Sequence, residues 1–433
     1  MLDKAKQIAN QGRARIPLLP LKRGQDLTAE EVKIARDYIR AYWPKLERYH
    51  PKDDGSVLGL PKPYLIPSSE EGANFDYNEM YYWDSYFIIQ GLLDEPHKEM
   101  VEGMLDNLLH LLKRFKVIPN ASRTYLTGRS QPPLLTSFIF DIYNVYSPGR
   151  DWLKEAMEAA KAEYNDVWIG TVKPNWRMVH QGLSRYYDIN MTHDLAEAES
   201  GWDYTPRFNR HALNYLPVDL NALLYKYEMD FARTARICND REEAVKWETA
   251  AAERKKMMIK LMWDAGRGGF YDYNYVKEKR SNISSLAMYF TMWSGLADGR
   301  QAQAMVKSLK RFEQKGGLAT TDNLPLGQYV PGAIPTQWAY PNGWAPLHYI
   351  VVKGLQRYGY HDDARRIAMK WLRTNTEWFN RTGLFLEKYN VVSPDKPPLK
   401  GVYPSQTGFG WTNGVYERFC QEFIDGHPPA DIT

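Results

Sequence analysis

The amino-acid sequence predicts an all-α protein whose helical pairs close into a toroid, with the loops converging on one face. Three observations predict it. Apolar residues recur at helical spacing in segment after segment, enough for roughly ten to twelve helices. The stretches between them, residues 71–84, 117–133, 199–208, 318–346 and 383–414, are dense in Trp, Tyr, Asn, Gly and Pro, where plain connectors would be short and polar. No shift in composition marks a second domain, so residues 28–433 read as one unit. Residues 1–27 read as an arm, since Pro17, Pro20 and several basic residues discourage regular structure there.

The elements follow in chain order. Residues 28–42 open on a capping box, Thr28 with Glu31, and then set Val32, Ala35, Ile39 and Tyr42 on one face. Residues 100–115 place Met104, Leu108, Leu111, Leu112 and Phe115 at helical spacing. Residues 220–235 and 242–262 read as a helical pair, parted by a turn at Cys238, Asn239 and Asp240. Residues 302–312 and 362–379 are further helices. Only residues 383–392 suggest a strand. Their alternation sets Leu384, Leu386, Lys388 and Asn390 against Phe385, Glu387, Tyr389 and Val391.

Charge excludes several classes of function. The 56 basic and 52 acidic residues leave a formal charge of +4 with no long run of one sign, which argues against a nucleic-acid stripe or a polybasic membrane patch. The longest loosely apolar stretch, residues 286–297, is too short to cross a bilayer. The first fifteen residues hold no apolar run of the secretory kind, so a cytoplasmic location is expected, and the sequons at Asn120, Asn190, Asn282 and Asn380 then read as chance matches. Cys238 and Cys420 lack the neighbours of a disulfide framework or a zinc site, so no metal and no cofactor are expected. Asp53-Asp54 and Asp362-Asp363 do not extend to the acidic metal motifs of terpenoid cyclases, and P-loop, dinucleotide and nucleophile-elbow motifs are missing.

The loops carry the chemistry. Asp203 lies beside Trp202 and close to Gly201; a carboxyl against aromatic walls resists ionising, as a general acid must near neutral pH. Glu387 alternates with Phe385 and Tyr389, and a carboxylate between rings can hold a water for attack. Each has a plainer reading: Asp203 as a helix cap or a partner of Arg207, Glu387 as an exposed strand residue balanced by Lys388. Trp83 and Asp84 offer a stacking plate and an acceptor. Asn120, Arg129 and Gln131 add two amides and a guanidinium, and Gln337, Trp338 and Trp344 another amide and two indoles. Sugar sites need such a mix, because every hydroxyl both donates and accepts. With 30 Tyr and 14 Trp in the chain, the same rings could equally be core.

Taken together and in this order, the loops resemble the trehalases, glycoside hydrolase family 37. The matching stretches are E-x-Y-x-W-D at 79–84, RSQPP at 129–133, ESGWD at 199–203, PNGWAP at 341–346, EKY at 387–389 and GFGWTNG at 408–414. The resemblance implies an (α/α)6 barrel of the six-hairpin glycosidase type and hydrolysis of a small α-glucoside with inversion. It implies Asp203 as general acid and Glu387 as general base. It maps sugar contacts onto Trp83, Asp84, Asn120, Arg129, Gln131 and Trp338, with Gly201, Trp344 and Trp411 in the matching stretches beside them and Tyr77 just ahead of the first. The expected partner is a small sugar. Two other readings are a hydrolase of a sugar-glycerate solute, such as glucosylglycerate or mannosylglycerate, and a non-catalytic sugar-binding relative; the intact Asp203 and Glu387 argue against the last.

The departures bear on specificity. Where the family has P-G-G-R-F, this chain has Asn74, Phe75, Asp76 and Tyr77 at the matching glycine, arginine and phenylalanine positions. The Asp of the family's QWD is Ala339, and a second Glu, before GFGWTNG, is Val402. The Arg-Pro-Glu-Ser segment ahead of the acid has no counterpart between Tyr187 and Glu199. The expectation is a weakened wall around the leaving group and a reduced preference for trehalose.

Overall fold

The computed structural model describes residues 27–69, 77–323, 336–399, 401 and 405–427. The arm up to Asp26, the substituted positions Asn74, Phe75 and Asp76, and Val402 lie outside the described residues.

Thirteen α-helices occur among the described residues: α1 (Ala29–Leu46), α2 (Tyr82–Ile89), α3 (Lys98–Phe115), α4 (Leu135–Tyr146), α5 (Arg150–Glu163), α6 (His193–Glu199), α7 (Val218–Ile237), α8 (Arg241–Met262), α9 (Phe290–Trp293), α10 (Gly299–Ser308), α11 (Ala345–Arg357), α12 (His361–Thr382) and α13 (Gly410–Phe423). Setting the short α6 aside, they alternate between two kinds. Helices α1, α3, α5, α8, α10 and α12 bury one stripe and expose the other, as an outer layer should. Helices α2, α4, α7, α9, α11 and α13 are enclosed on nearly every side.

The enclosed helices form a ring. Helix α4 packs on α7, α7 on α9, α9 on α11, α11 on α13, and α13 back on α2. The remaining junction, α2 to α4, is polar: Gln90 Nε2 donates to Asp141 Oδ2 at 2.9 Å, and the Leu134 and Leu135 amides donate to Tyr82 Oη at 3.2 and 3.0 Å. Six outer and six inner helices make an (α/α)6 toroid, and the all-α expectation is borne out. Closure between its first and last inner helices needs glycine. A Cβ on Gly414 of α13 would lie 2.4 Å from the Phe87 carbonyl oxygen and 2.6 Å from that of Ile88, both on α2.

Local signals read from the sequence survive where they are self-contained. The Thr28 hydroxyl accepts from the Glu31 amide at 3.2 Å, and the Glu31 carboxylate accepts from the Thr28 amide at 3.1 Å, so the capping box is formed. Boundaries shift where packing overrides propensity. Helix α1 continues past Tyr42 through Pro44, because Trp43 and Leu46 are buried in the core. The helix expected over 302–312 ends at Ser308 and tightens into a 3-10 turn over Leu309–Arg311.

The 383–392 strand requires correction. Only Lys388–Asn390 is a strand, paired antiparallel with Asn342–Trp344 in the register Gly343↔Tyr389 and Trp344↔Lys388. Before Lys388 the chain turns to other partners: Glu387 N donates to Gln406 O at 3.0 Å and Leu386 N to Tyr389 Oη at 2.9 Å. The ladder is therefore too short to enforce a two-residue period, and Glu387 and Lys388 turn towards each other. Several more hairpins of two- and three-residue strands sit in the loops; pieces so short leave no periodicity to read.

Candidate active site

The site is built where the loops meet the first turns of α2, α11 and α13. Trp83 and Asp84 stand in the first turn of α2, Trp344 caps α11, and Trp411 opens α13. Their rings form one aromatic body. Trp338 stacks face to face on Trp344 at 3.8 Å between centroids and 2° between planes, and Trp411 meets both edge-on at 6.1 and 5.9 Å. Trp83 packs on Trp338 and Trp411 at 5.7 and 5.9 Å, and Trp202 stacks on the other flank of Trp338 at 5.5 Å. Trp344 is completely enclosed, so it backs Trp338 and is not an open plate.

Gly201 is the residue that lets the Asp203 loop approach Trp83. Its φ is +73°, and a Cβ there would lie 2.7 Å from two ring atoms of Trp83. Neither the backbone nor the space admits a side chain. The loop is then tied across the barrel: Gln337 Nε2 donates to Asp203 O at 2.6 Å, and Trp338 N donates to Tyr204 O at 3.1 Å. Arg207 does not pair with Asp203, which removes that plainer reading. It is fully buried against Asp219 and Asp272 and lies under the Trp202 ring at 4.3 Å.

Glu199, the first residue of ESGWD, organises the neighbouring wall. Its carboxylate is completely buried. It accepts from the Ser130 amide at 2.7 Å and from the Tyr187 amide at 2.6 Å, and it is ion-paired with Arg177. Helix α6, capped by Thr192, occupies the chain just ahead of Asp203. Arg177 was missed in the sequence because nothing local links it to residues twenty positions away. Asn120 donates through Nδ2 to Ser130 O at 3.0 Å, and Arg129 pairs with Asp188 at 3.1 Å. Gln131 accepts from the Trp83 amide at 2.9 Å.

Three carboxyls converge. Asp84, Asp203 and Glu387 feel one another's charge, and Tyr77 feels all three. Burial pushes the Asp203 carboxyl up to about 7, and the negative charge of Glu387 adds to the rise, while Lys388 and Arg129 oppose it. Burial likewise lifts Asp84 well above the usual carboxylate range, and Glu387 and Asp203 add to the rise. Glu387 is buried too, yet its Oε2 is 2.7 Å from the ammonium of Lys388. Lys388 therefore does balance Glu387, but inside the protein. One site thus holds a carboxyl that keeps its proton near neutrality and a carboxylate paired with a cation, the division of labour that acid–base catalysis requires.

A pH dependence follows from Asp203. An acid must carry its proton, so kcat/KM should decline as pH rises through about 7, the value to which Asp203 is raised. Well above that point each further pH unit should cost about tenfold. A basic limb set instead at an ordinary carboxylate pH, or no limb at all up to mildly alkaline pH, would remove Asp203 from the role.

No group of His, Cys, Asp and Glu side chains able to hold a metal ion occurs among the described residues. No helix among them is long and apolar enough to cross a membrane.

The trehalase family profile matches residues 20–200 and 172–424. The cytosolic neutral trehalase of Emericella nidulans is 32% identical over 93% of this chain, and the chain spans 64% of that protein's length. The periplasmic trehalase of Escherichia coli O8 is 31% identical over 95% of the chain and 78% of its own length. Among solved structures, the neutral trehalase Nth1 from Saccharomyces cerevisiae superposes with a TM-score of 0.72 at 28% identity, covering 95% of this chain and 83% of that one. The helical ring, the glycine beneath Trp83 and the cluster of carboxyls are thus carried by a sequence that matches the family along nearly its whole length, and the chain belongs to the trehalase family.

Proposed function

We propose that this chain hydrolyses α,α-trehalose with inversion, Asp203 acting as general acid and Glu387 as general base. The observation that carries the reading is the pair of unlike carboxyls in one site, Asp203 raised to about 7 and Glu387 ion-paired with Lys388 at 2.7 Å. Membership of the trehalase family supports it. In the reaction, Asp203 gives its proton to the glycosidic oxygen as the C1–O bond breaks. A water attacks C1 from the opposite face and passes its proton to Glu387. The products are one β-glucose and one glucose, and the two carboxyls exchange protons with solvent to reset. Such a water needs a carboxyl separation of roughly 6.5–9.5 Å. Tyr77, Trp83, Asp84, Asn120, Arg129, Gln131, Gly201, Trp338, Trp344 and Trp411 form the proposed sugar site, the deepest indoles shaping it from behind.

The test is a screen of trehalose, kojibiose, other α-linked disaccharides and sugar-glycerates, with early product observed by proton NMR. Trehalose should be cleaved and β-glucose should appear first. The α-anomer appearing first would mean retention and would remove the mechanism. A sugar-glycerate cleaved best would replace the substrate. The altered wall around the leaving group, with Val402 and no Arg-Pro-Glu-Ser segment, argues for a modest preference. If trehalose leads the other α-glucosides by more than about tenfold, helix α6 and its neighbours have restored the wall. The relatives include cytosolic and periplasmic enzymes, and the proposal takes the cytoplasmic alternative, which cell fractionation can check.

A further inference from the structure

The side chain next to the proposed base is unusual. Lys388 is completely buried, and its ammonium lies 2.7 Å from Glu387 Oε2 and 4.9 Å from the centre of the Trp344 ring. A buried ammonium is costly unless it is paired, so packing alone would be better served by an apolar residue. Its surroundings are fixed. Lys388 pairs with Trp344 in the strand ladder, Trp338 covers Trp344 at 3.8 Å, and the Trp344 carbonyl accepts from His348 Nδ1 at 2.8 Å. The backbone of Glu387 is also held, its amide on Gln406 O at 3.0 Å and its carbonyl on Trp411 Nε1 at 3.1 Å. The carboxylate itself is held through Oε2, while Oε1 has no hydrogen-bond partner among the described residues.

We infer that Lys388 is a positioning residue of the active site: its ammonium anchors Glu387 by one oxygen and leaves Oε1 to take the proton of the attacking water. Lys388 itself transfers nothing. The inference rests on the assignment of Glu387 as base. The ammonium also acts on the acid, since its positive charge opposes the rise of Asp203. Asp203 is faced by Glu387 and Lys388 from the chain before α13, by Arg129 from the loop before α4, by Asp84 from α2, by Glu197 from α6, and by Tyr77 and Tyr204.

Lys388→Met removes the charge and keeps the length; Lys388→Arg keeps the charge. In Lys388→Met, kcat should fall at least ~30-fold with KM within ~3-fold, and the basic limb of kcat/KM should move to higher pH as the cation near Asp203 is lost. Lys388→Arg should recover most of the turnover and leave the limb in place. Crystals of Lys388→Met should show the Glu387 carboxylate displaced. A Glu387 side chain that stays put, or a Lys388→Met turnover within ~3-fold of wild type, overturns the inference. If the wild-type protein cleaves no α-glucoside, the proposed function falls, and the position of Glu387 in those crystals still decides whether Lys388 anchors it.

Discussion

Asp203→Asn and Glu387→Gln should each lower kcat by about 10²- to 10⁴-fold and leave a folded protein. Asparagine matches aspartate in shape, but its amide protons are far too weakly acidic to be given to a leaving oxygen. Burial already makes ionised Asp203 unfavourable, raising the carboxyl to about 7, so a neutral amide should leave the melting temperature equal or higher. Glutamine at 387 cannot accept the proton of water, and it leaves the buried ammonium of Lys388 without its carboxylate at 2.7 Å. Glu387→Gln should therefore lose some stability as well as activity, an asymmetry that separates the two roles. The measurements are single-turnover rates on the screened substrates and thermal unfolding of each variant. Near wild-type turnover in either variant would take that residue out of the mechanism.

Arg207→Met should be the most destabilising change near the site, by about 3–5 kcal/mol, because it strands two buried carboxylates. The guanidinium donates to Asp219 at 2.9 and 2.7 Å and to Asp272 at 3.0 and 2.8 Å, all inside the protein. Burial raises the Asp272 carboxyl above its ordinary value, and Arg207 is the chief force holding it down. The sign of the pH effect follows. A carboxyl whose folded-state value is raised favours folding when protonated, and that advantage is lost as pH rises through the folded-state value. Without Arg207 the rise grows, so the stability deficit of Arg207→Met should be smallest in acid and widen towards neutral pH. Urea unfolding across pH measures it. A deficit independent of pH would mean that lost packing of Arg207 against the Trp202 ring at 4.3 Å, not stranded charge, dominates. Activity should fall too, since Trp202 adjoins Asp203.

Much of the molecule was legible in the amino-acid order. The amphipathic stripe of α3, the capping box of Thr28 and Glu31, and the pairing of α7 with α8 depend on residues a few positions apart, so local spacing reports them. The motif loops told where chemistry was to be sought, because a glycine beside a tryptophan and an aspartate is a local pattern. By itself the sequence thus determined the helical class, the limits of most long helices, and the family resemblance that nominated Asp203 and Glu387.

Other features were decided only by the tertiary structure, because they depend on which distant residues become neighbours and how much water is removed. Arg207 was a possible partner of Asp203, four residues back; folding brings it instead to Asp219 and Asp272, 12 and 65 positions away. Arg177 meets Glu199 across 22 positions. Lys388 looked like a solvent counter-ion to its neighbour, and the alternation of residues 383–392 seemed to point the two apart. The fold breaks that alternation by pulling Glu387 onto Gln406 and closes Trp344 over the ammonium. The same enclosure raises Asp203 and leaves Glu387 in an ion pair. Residue order supplied two carboxyls; desolvation and the placement of one cation made them different.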